Sequence, residues 1–362
     1  PEVDEAVKKT VEKGNLSTLN CPEEVFLAEK LIDLHPWADM VKFARTGGEA
    51  NSIAIRIARA AKGKDKVAIC GYHGWHDWYL ATNLYEKNGL NEHLLPGLNP
   101  LGVPQSLKET VIPFRYNEID EIKKIASEND LAAIKMEVER SCPPNENFLK
   151  EIRDICSTKG IILIFDECSS GFRTCLGGHH LTYGVNPDMA VFGKALGNGY
   201  AITSVIGKAN LMQSAQETFI SSTFWTERIG PTAALKTLEI MEQTQSWKTI
   251  TDNGDYLRSR IQALADKYDL KIIQNGLLAL NNFIFKNNHQ KYKTLITQEM
   301  LKYGYLANTT TYLSISHNRN IINDYIHYLE NVFKKISDCE NGLSVDKLIS
   351  KNICQEGFSR LN

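Results

Sequence analysis

The chain carries two kinds of hydrophobic pattern, and their mixture changes about two-thirds of the way along. Residues 1–13 place Val3, Ala6, Val7 and Val11 at helical spacing. Pro22–Leu34 predicts a second helix. Pro22 suits its first turn, Glu23 and Glu24 favour the positive end of the dipole, and Leu27, Leu31 and Leu34 form the apolar stripe. A short run over 41–45 leads into Thr46-Gly47-Gly48-Glu49, and 50–62 read as a helix with Ile53, Ile57 and Ala61 on one face. Unbroken apolar runs follow at Lys66–Cys70, 131–138, 161–165, Met189–Phe192 and 201–206. Runs of this length suit strands covered on both faces. Between two of them lies a helix over 147–158, ended by Gly160. Strand–helix–strand order predicts an α/β fold with a mostly parallel central sheet and helices on both faces.

After a long helix over 231–242 the composition shifts near Gln243. A charged helix over 247–269 precedes short strand candidates at 270–274, 281–285 and 311–316, with helices near 290–303 and 321–336. This predicts a smaller α+β domain. The expected division is a large domain over 21–243, a small domain over 244–340 and a tail over 341–362 that shows no clear periodicity.

Composition narrows the function. At about 150 residues per domain, 362 residues suggest two domains, enough to bury a core without disulfide or metal staples. The formal net charge is −2, which argues against a nucleic-acid binder and against a polybasic membrane anchor. No stretch approaches about 18 uninterrupted apolar residues, so no membrane-spanning helix is expected. The charged, amphipathic start does not read as a signal peptide, and its lack of Met suggests a processed or trimmed chain. Eight cysteines are scattered with no Cys-x-x-Cys pair, which predicts reduced thiols in a cytoplasmic protein and no zinc site.

Ligands of open parallel sheets bind at the carboxyl ends of the strands, and four polar features fall at such ends. Thr46-Gly47-Gly48 precedes a helix, where backbone amides and bare glycines suit a phosphate; a simple glycine turn is the alternative. Asp166 follows a buried strand and must be paired, by capping a helix, binding a metal or holding a cationic ring nitrogen. Lys194 stands at the end of another apolar strand within a glycine-rich loop, where a partly dry pocket would make its amine a nucleophile for aldehydes; the alternative is a surface lysine. In Gly71-Tyr72-His73-Gly74-Trp75-His76-Asp77, Tyr72 can lie flat on an aromatic ligand, or His73, His76 and Asp77 can bind a metal. His179-His180 reads as a loop pair. A phosphate cradle, a flat aromatic, a strand-end aspartate and a strand-end lysine together are what pyridoxal phosphate requires. The lysine forms a Schiff base with its aldehyde, and the aspartate keeps its pyridine nitrogen protonated. A nicotinamide-binding Rossmann protein is disfavoured, since no Gly-x-Gly-x-x-Gly follows the first strand.

At these residues the sequence resembles the class-III aminotransferases, pyridoxal-phosphate enzymes of fold type I, and within them the glutamate-1-semialdehyde aminomutase branch. The resemblance runs from Pro1 to about Ile336 and rests on RTGGEANSIAIRIARA, GYHGWHD, IFDECSSGFR, PDMAVFGKALGNG and the spacing of 28 residues between Asp166 and Lys194. It implies that Lys194 is the Schiff-base lysine and proton shuttle, and that Asp166 binds the pyridine nitrogen. Thr46, Gly47 and Gly48 would hold the phosphate. Tyr72 would stack on one ring face beside His73, and Cys168 would stand on the other, where valine is usual. Glu137 matches a strand-end glutamate. Thr223, in SSTFWTERIG, matches a threonine that reaches the phosphate of a neighbouring subunit, so a homodimer with shared sites is implied. Gly48 replaces a hydroxyl residue in the phosphate loop. The run 224–230 departs from the family pattern and sets Trp225, Glu227 and Arg228 near the site, with Trp225 and Arg228 as candidate substrate contacts. The family normally carries a further segment before the Pro1 equivalent, so 1–20 are expected to belong to the small domain. The implied activity is transfer of an amino group between a small-molecule donor and a carbonyl acceptor, in surface-polysaccharide or amino-sugar metabolism. The alternatives are the intramolecular aminomutase reaction of tetrapyrrole synthesis and a non-catalytic homologue.

Overall fold

A computed structural model describes residues 1–85, 89–91, 93, 97–139, 141–350 and 352–355. The chain divides into two compact units, one of residues 1–139 and 144–245, the other of 140–143 and 246–362.

The first unit is built on seven strands: β1 (Met40–Ala44), β2 (Lys66–Cys70), β3 (Val111–Pro113), β4 (Leu131–Glu137), β5 (Ile162–Asp166), β6 (Met189–Phe192) and β7 (Thr203–Gly207), in the order β1-β7-β6-β5-β4-β2-β3. β7 alone runs against its neighbours β1 and β6; the other pairings are parallel. Every position of β4 and β5 is buried, which explains why these runs show no alternation. Helix Gly47–Lys62 covers one face, setting Ile53, Ala54 and Ile57 against Ile69, Ile164 and Val205. Helices Ile119–Glu128 and Phe148–Lys159 cover the other, packing Ile122 and Ile152 onto Ala68, Ile134 and Leu163. Thr46 caps the first of these helices, its Oγ1 accepting the Glu49 N–H at 3.3 Å, and Gly63 ends it in the left-handed conformation that a side chain would strain.

Two expectations change. Residues 1–20 do not belong with the small unit: in helix Glu2–Glu12, Val3 and Val7 pack on Ala233 of helix Ile229–Thr244, and Thr10 bonds Thr232 at 3.1 Å. The N-terminal stripe is matched to that helix, so it closes the large unit. Nor are all of 341–362 a loose tail. Val345 is buried in the second unit's core, and Lys291 bonds Asp346 at 2.8 Å.

The second unit has a three-stranded antiparallel sheet of β8 (Ile272–Asn275), β9 (Leu280–Phe285) and β10 (Thr310–Tyr312), with β9 in the middle. Helices Ser246–Lys267, His289–Leu301 and Arg319–Glu340 share its core, in which Ile261, Phe283, Phe285, Tyr292, Leu329 and Phe333 are buried. Among the described residues no helix is long and apolar enough to cross a membrane.

Candidate active site

Six parallel strands end on one edge of the large sheet, and the polar residues singled out in the sequence collect there. Glu137 and Asp166 close β4 and β5 and stand in register. Asp166 is buried, with Oδ2 bonded to His73 Nδ1 at 2.8 Å and Oδ1 accepting the Cys168 N–H at 3.1 Å. Burial by itself would push this carboxyl up. The ammonium of Lys135, 3.9 Å from Oδ2, and the His73 hydrogen bond reverse that and hold it well below the usual carboxylate range. Burial pushes His73 down to about 4, so its ring is neutral near pH 7. An ionised Asp166 only accepts, so the shared proton sits on His73 Nδ1. His73 Nε2 is then an acceptor, buried with no partner among the described residues.

Glu137 holds the loop that carries Tyr72. Its Oε2 accepts the Tyr72 N–H at 3.0 Å. This approach requires Gly71, whose φ is +109° and where a Cβ would come within 2.5 Å of Glu137 Oε2. The Tyr72 ring meets Tyr79 edge-on, centroids 5.9 Å apart.

The cradle is compact. Gly47 and Gly48 lie in the first turn of their helix, where backbone N–H groups have no helical acceptor. Gly74 at φ +103° lets its loop approach; a Cβ there would sit 2.9 Å from the Gly48 Cα. Cys168 lies between the helix start and β6, since a Cβ on Gly47 or on Gly193 would meet its Sγ at 3.6 or 3.5 Å. Burial raises the Cys168 thiol well above its usual range, so it is uncharged near pH 7. Thr203 Oγ1 donates to the Thr46 carbonyl at 3.2 Å, tying β7 to the cradle.

Lys194 begins the turn Lys194–Gly197 directly after β6. Its φ is +46°, a strained backbone for a residue with a side chain and one that clusters at functional sites. Its Nζ donates to Ser169 Oγ at 2.5 Å. The partly dry pocket expected for it is not seen: Lys194 is exposed, while the turn behind it is packed, with Leu196 and Gly197 buried.

The loop 221–230 departs from expectation. Arg228 is committed elsewhere, its guanidinium on both Glu23 oxygens at 2.6 and 3.1 Å and on the Gly14 carbonyl at 3.1 Å. It ties the loop to the N-terminal segment and is not free to meet a substrate. Trp225 lies under the Lys42 ammonium, 3.6 Å from the ring centroid, which fastens it to β1. Glu227 bonds Arg45 at 3.3 Å and caps helix Ile229–Thr244 by accepting the Gly230 N–H at 3.3 Å. Thr223 is exposed, and its hydroxyl has no partner among the described residues.

His73 and His76 do not face a common ion: His73 serves Asp166, and His76 Nδ1 bonds Ser52 Oγ. Nor are His179 and His180 a loop pair. His180 Nδ1 meets the buried Glu167 at 2.5 Å, and His179 Nε2 meets Glu139 at 3.0 Å. Lys135 was missed. Its only signal is a single lysine inside the apolar run LAAIKMEV.

The family model of the class-III aminotransferases matches residues 1–327. The chain belongs to that family. The aminotransferase is 34% identical over 311 residues to a 3-aminobutyryl-CoA aminotransferase of Cloacimonas acidaminovorans, covering 82% of this chain and 70% of the relative. It is 30% identical over 357 residues to a glutamate-1-semialdehyde 2,1-aminomutase of Methanocaldococcus jannaschii, covering 91% and 82%. Its fold is that of an omega-transaminase from Sphaerobacter thermophilus, with a TM-score of 0.83 at 21% identity over 93% of this chain and 83% of the other. An ornithine aminotransferase from Toxoplasma gondii gives 0.79 at 17% identity over 93% and 83%.

The family's cofactor is pyridoxal 5′-phosphate, and this aminotransferase is a pyridoxal-phosphate enzyme. The residues at the strand ends fit the group. The glycine cradle and its first-turn amides suit a dianion. Asp166 is held ionised, as a cationic ring nitrogen would require, and the Lys194 amine stands one strand away.

Proposed function

We propose that the aminotransferase moves an amino group between two small molecules, with Lys194 as its covalent anchor and proton carrier and Asp166 as its main electrostatic group. The observation that carries this reading is the pairing of two features on adjacent strand ends. A lysine in left-handed backbone follows β6, and a carboxylate kept ionised by buried partners ends β5.

The bound cofactor supplies an aldehyde for amine exchange and a ring that draws electrons from the amino-bearing carbon. Thr46, Gly47 and Gly48 hold its phosphate. Tyr72 and Cys168 bound the ring, with Glu137 fixing the Tyr72 loop and His73 orienting Asp166. Asp166 would hold the ring nitrogen, its ionised carboxylate stabilising a positive charge there. Ser169 aims the Lys194 amine. Once the substrate's amine has displaced it from the aldehyde carbon, Lys194 Nζ would be free to take a proton from the substrate's amino-bearing carbon and to deliver it to that aldehyde carbon.

A homodimer with shared sites is part of this reading, with Thr223 serving the partner's phosphate; its exposed hydroxyl supports that. The cytoplasm is the proposed location, supported by the absence of any disulfide among the described cysteines. The aminomutases among the relatives support a second reading, transfer within one molecule. A half-reaction screen separates the two. Amino acids, β-amino acyl thioesters, diamines and amino sugars are added singly while the cofactor spectrum is followed. The transaminase reading predicts that one donor class converts the cofactor to its aminated form and that a separate carbonyl compound restores it. Turnover of a single amino-aldehyde starting from the aminated form, with no donor, would favour the aminomutase.

A further inference from the structure

Lys135 is fully buried in the middle of β4, in register with Ile69 of β2 and Ile164 of β5, on the face covered by helix Gly47–Lys62. Its ammonium has no hydrogen-bond partner among the described residues. A lone ammonium in such a place is costly, and the carboxylate that faces it is Asp166, 3.9 Å away. The other titratable groups at this point are His73 and His93 from the β2 side, Glu137 on β4 itself, and Cys168 and Lys194 after β5 and β6. His73 is neutral and Cys168 uncharged near pH 7. Glu137 is turned to the Tyr72 amide, and Lys194 to Ser169. Of the cations among the described residues, Lys135 is the one set against the Asp166 carboxylate.

We propose that Lys135 is a positioning residue of the active site: its buried ammonium keeps Asp166 ionised before the cofactor arrives and afterwards shares that carboxylate with the cofactor's ring nitrogen. The second half rests on the reading of Asp166 given above. The Asp166 carboxylate is then shared by two cations, Lys135 and the ring nitrogen. Sharing has a direction. A carboxylate already paired from below is a weaker acceptor, so it releases the ring-nitrogen proton at lower pH than an unshared one.

The apoprotein tests the first half by NMR. With 13C-labelled lysine, the Lys135 Cε resonance should report a charged amine at pH 7 in the wild type; a neutral amine overturns the proposal, and this arm needs no variant. In Lys135→Met, which keeps length and removes charge, the coupled Asp166–His73 pair should take up its first proton about 1–3 pH units higher than in the wild type. An unchanged titration means that Lys135 only fills space, and overturns the proposal. The second half is read from 15N-labelled cofactor in the holoenzyme. In Lys135→Met the ring nitrogen should hold its proton to higher pH than in the wild type, and an identical profile overturns this half. In Asp166→Asn the ring nitrogen should lose its proton near neutral pH. If it does not, the reading of Asp166 fails while the apoprotein result for Lys135 still stands.

Discussion

Asp166 is buried, so its ionisation depends on named neighbours. Replacing it by Asn keeps shape and one acceptor but removes the charge. Asp166→Asn should lower kcat by roughly 10²-fold or more, by analogy with loss of one preorganised group, while cofactor affinity falls much less. Steady-state kinetics at saturating cofactor, with a separate binding titration, measures both; a near-normal kcat would remove Asp166 from the mechanism. His35 makes a different point. It is buried, bonded to the Leu31 carbonyl at 2.8 Å and to the Gly178 N–H at 2.9 Å, and burial pushes it down to about 4. In the unfolded chain it titrates near 6.5. Between these values only the unfolded state binds the proton, so stability is full above about pH 6.5, falls towards pH 4 and levels off below. His73 behaves alike. His35→Gln should flatten the dependence by about 1.4 kcal/mol per pH unit across this window. Urea unfolding of the apoprotein, followed by tryptophan fluorescence, checks it; an unchanged slope contradicts the assignment.

The strands β2, β4, β5 and β6 were legible as apolar runs because burial on both faces removes alternation. Their order gave the parallel sheet, and the rule that ligands gather at strand ends found Asp166, Lys194, Tyr72 and the glycine cradle. What periodicity misses is equally specific. β3 has three residues including Pro113, too few to show a period. β7 runs antiparallel, and an apolar run carries no direction. Arg228 and Glu23 lie 205 residues apart in sequence, so composition near the site could not reveal that Arg228 is already paired. Lys135 reads as a defect in a strand until the register places it beneath Asp166. The element most exposed to test is helix Gly47–Lys62, whose cap and cradle share Thr46. Thr46→Ala should destabilise the apoprotein by about 0.5–2 kcal/mol and also weaken cofactor binding, while Thr46→Ser keeps both. Thermal unfolding and cofactor titration on the same preparations measure the two effects; loss of stability with unchanged affinity would confine Thr46 to capping.

For the whole molecule, the loop 221–230 is anchored within its own chain near its C-terminal end, Glu227 to Arg45 and Arg228 to Glu23, and it leaves Thr223 exposed. If that hydroxyl serves a second copy, two inactive variants should complement. Mixing Lys194→Ala with Thr223→Ala subunits would make half of the dimers mixed, each with one intact site. Activity should then recover towards a quarter of the wild-type value after verified subunit exchange; no recovery would assign Thr223 to its own chain or to no site. Covalent anchoring is tested more directly, since Lys194 is the amine proposed to hold pyridoxal phosphate. The cofactor-loaded enzyme is reduced with borohydride, digested and mapped by mass spectrometry. The cofactor should be fixed on Lys194, with no adduct in Lys194→Ala. An adduct on another lysine, Lys135 included, or none with cofactor supplied, would contradict it.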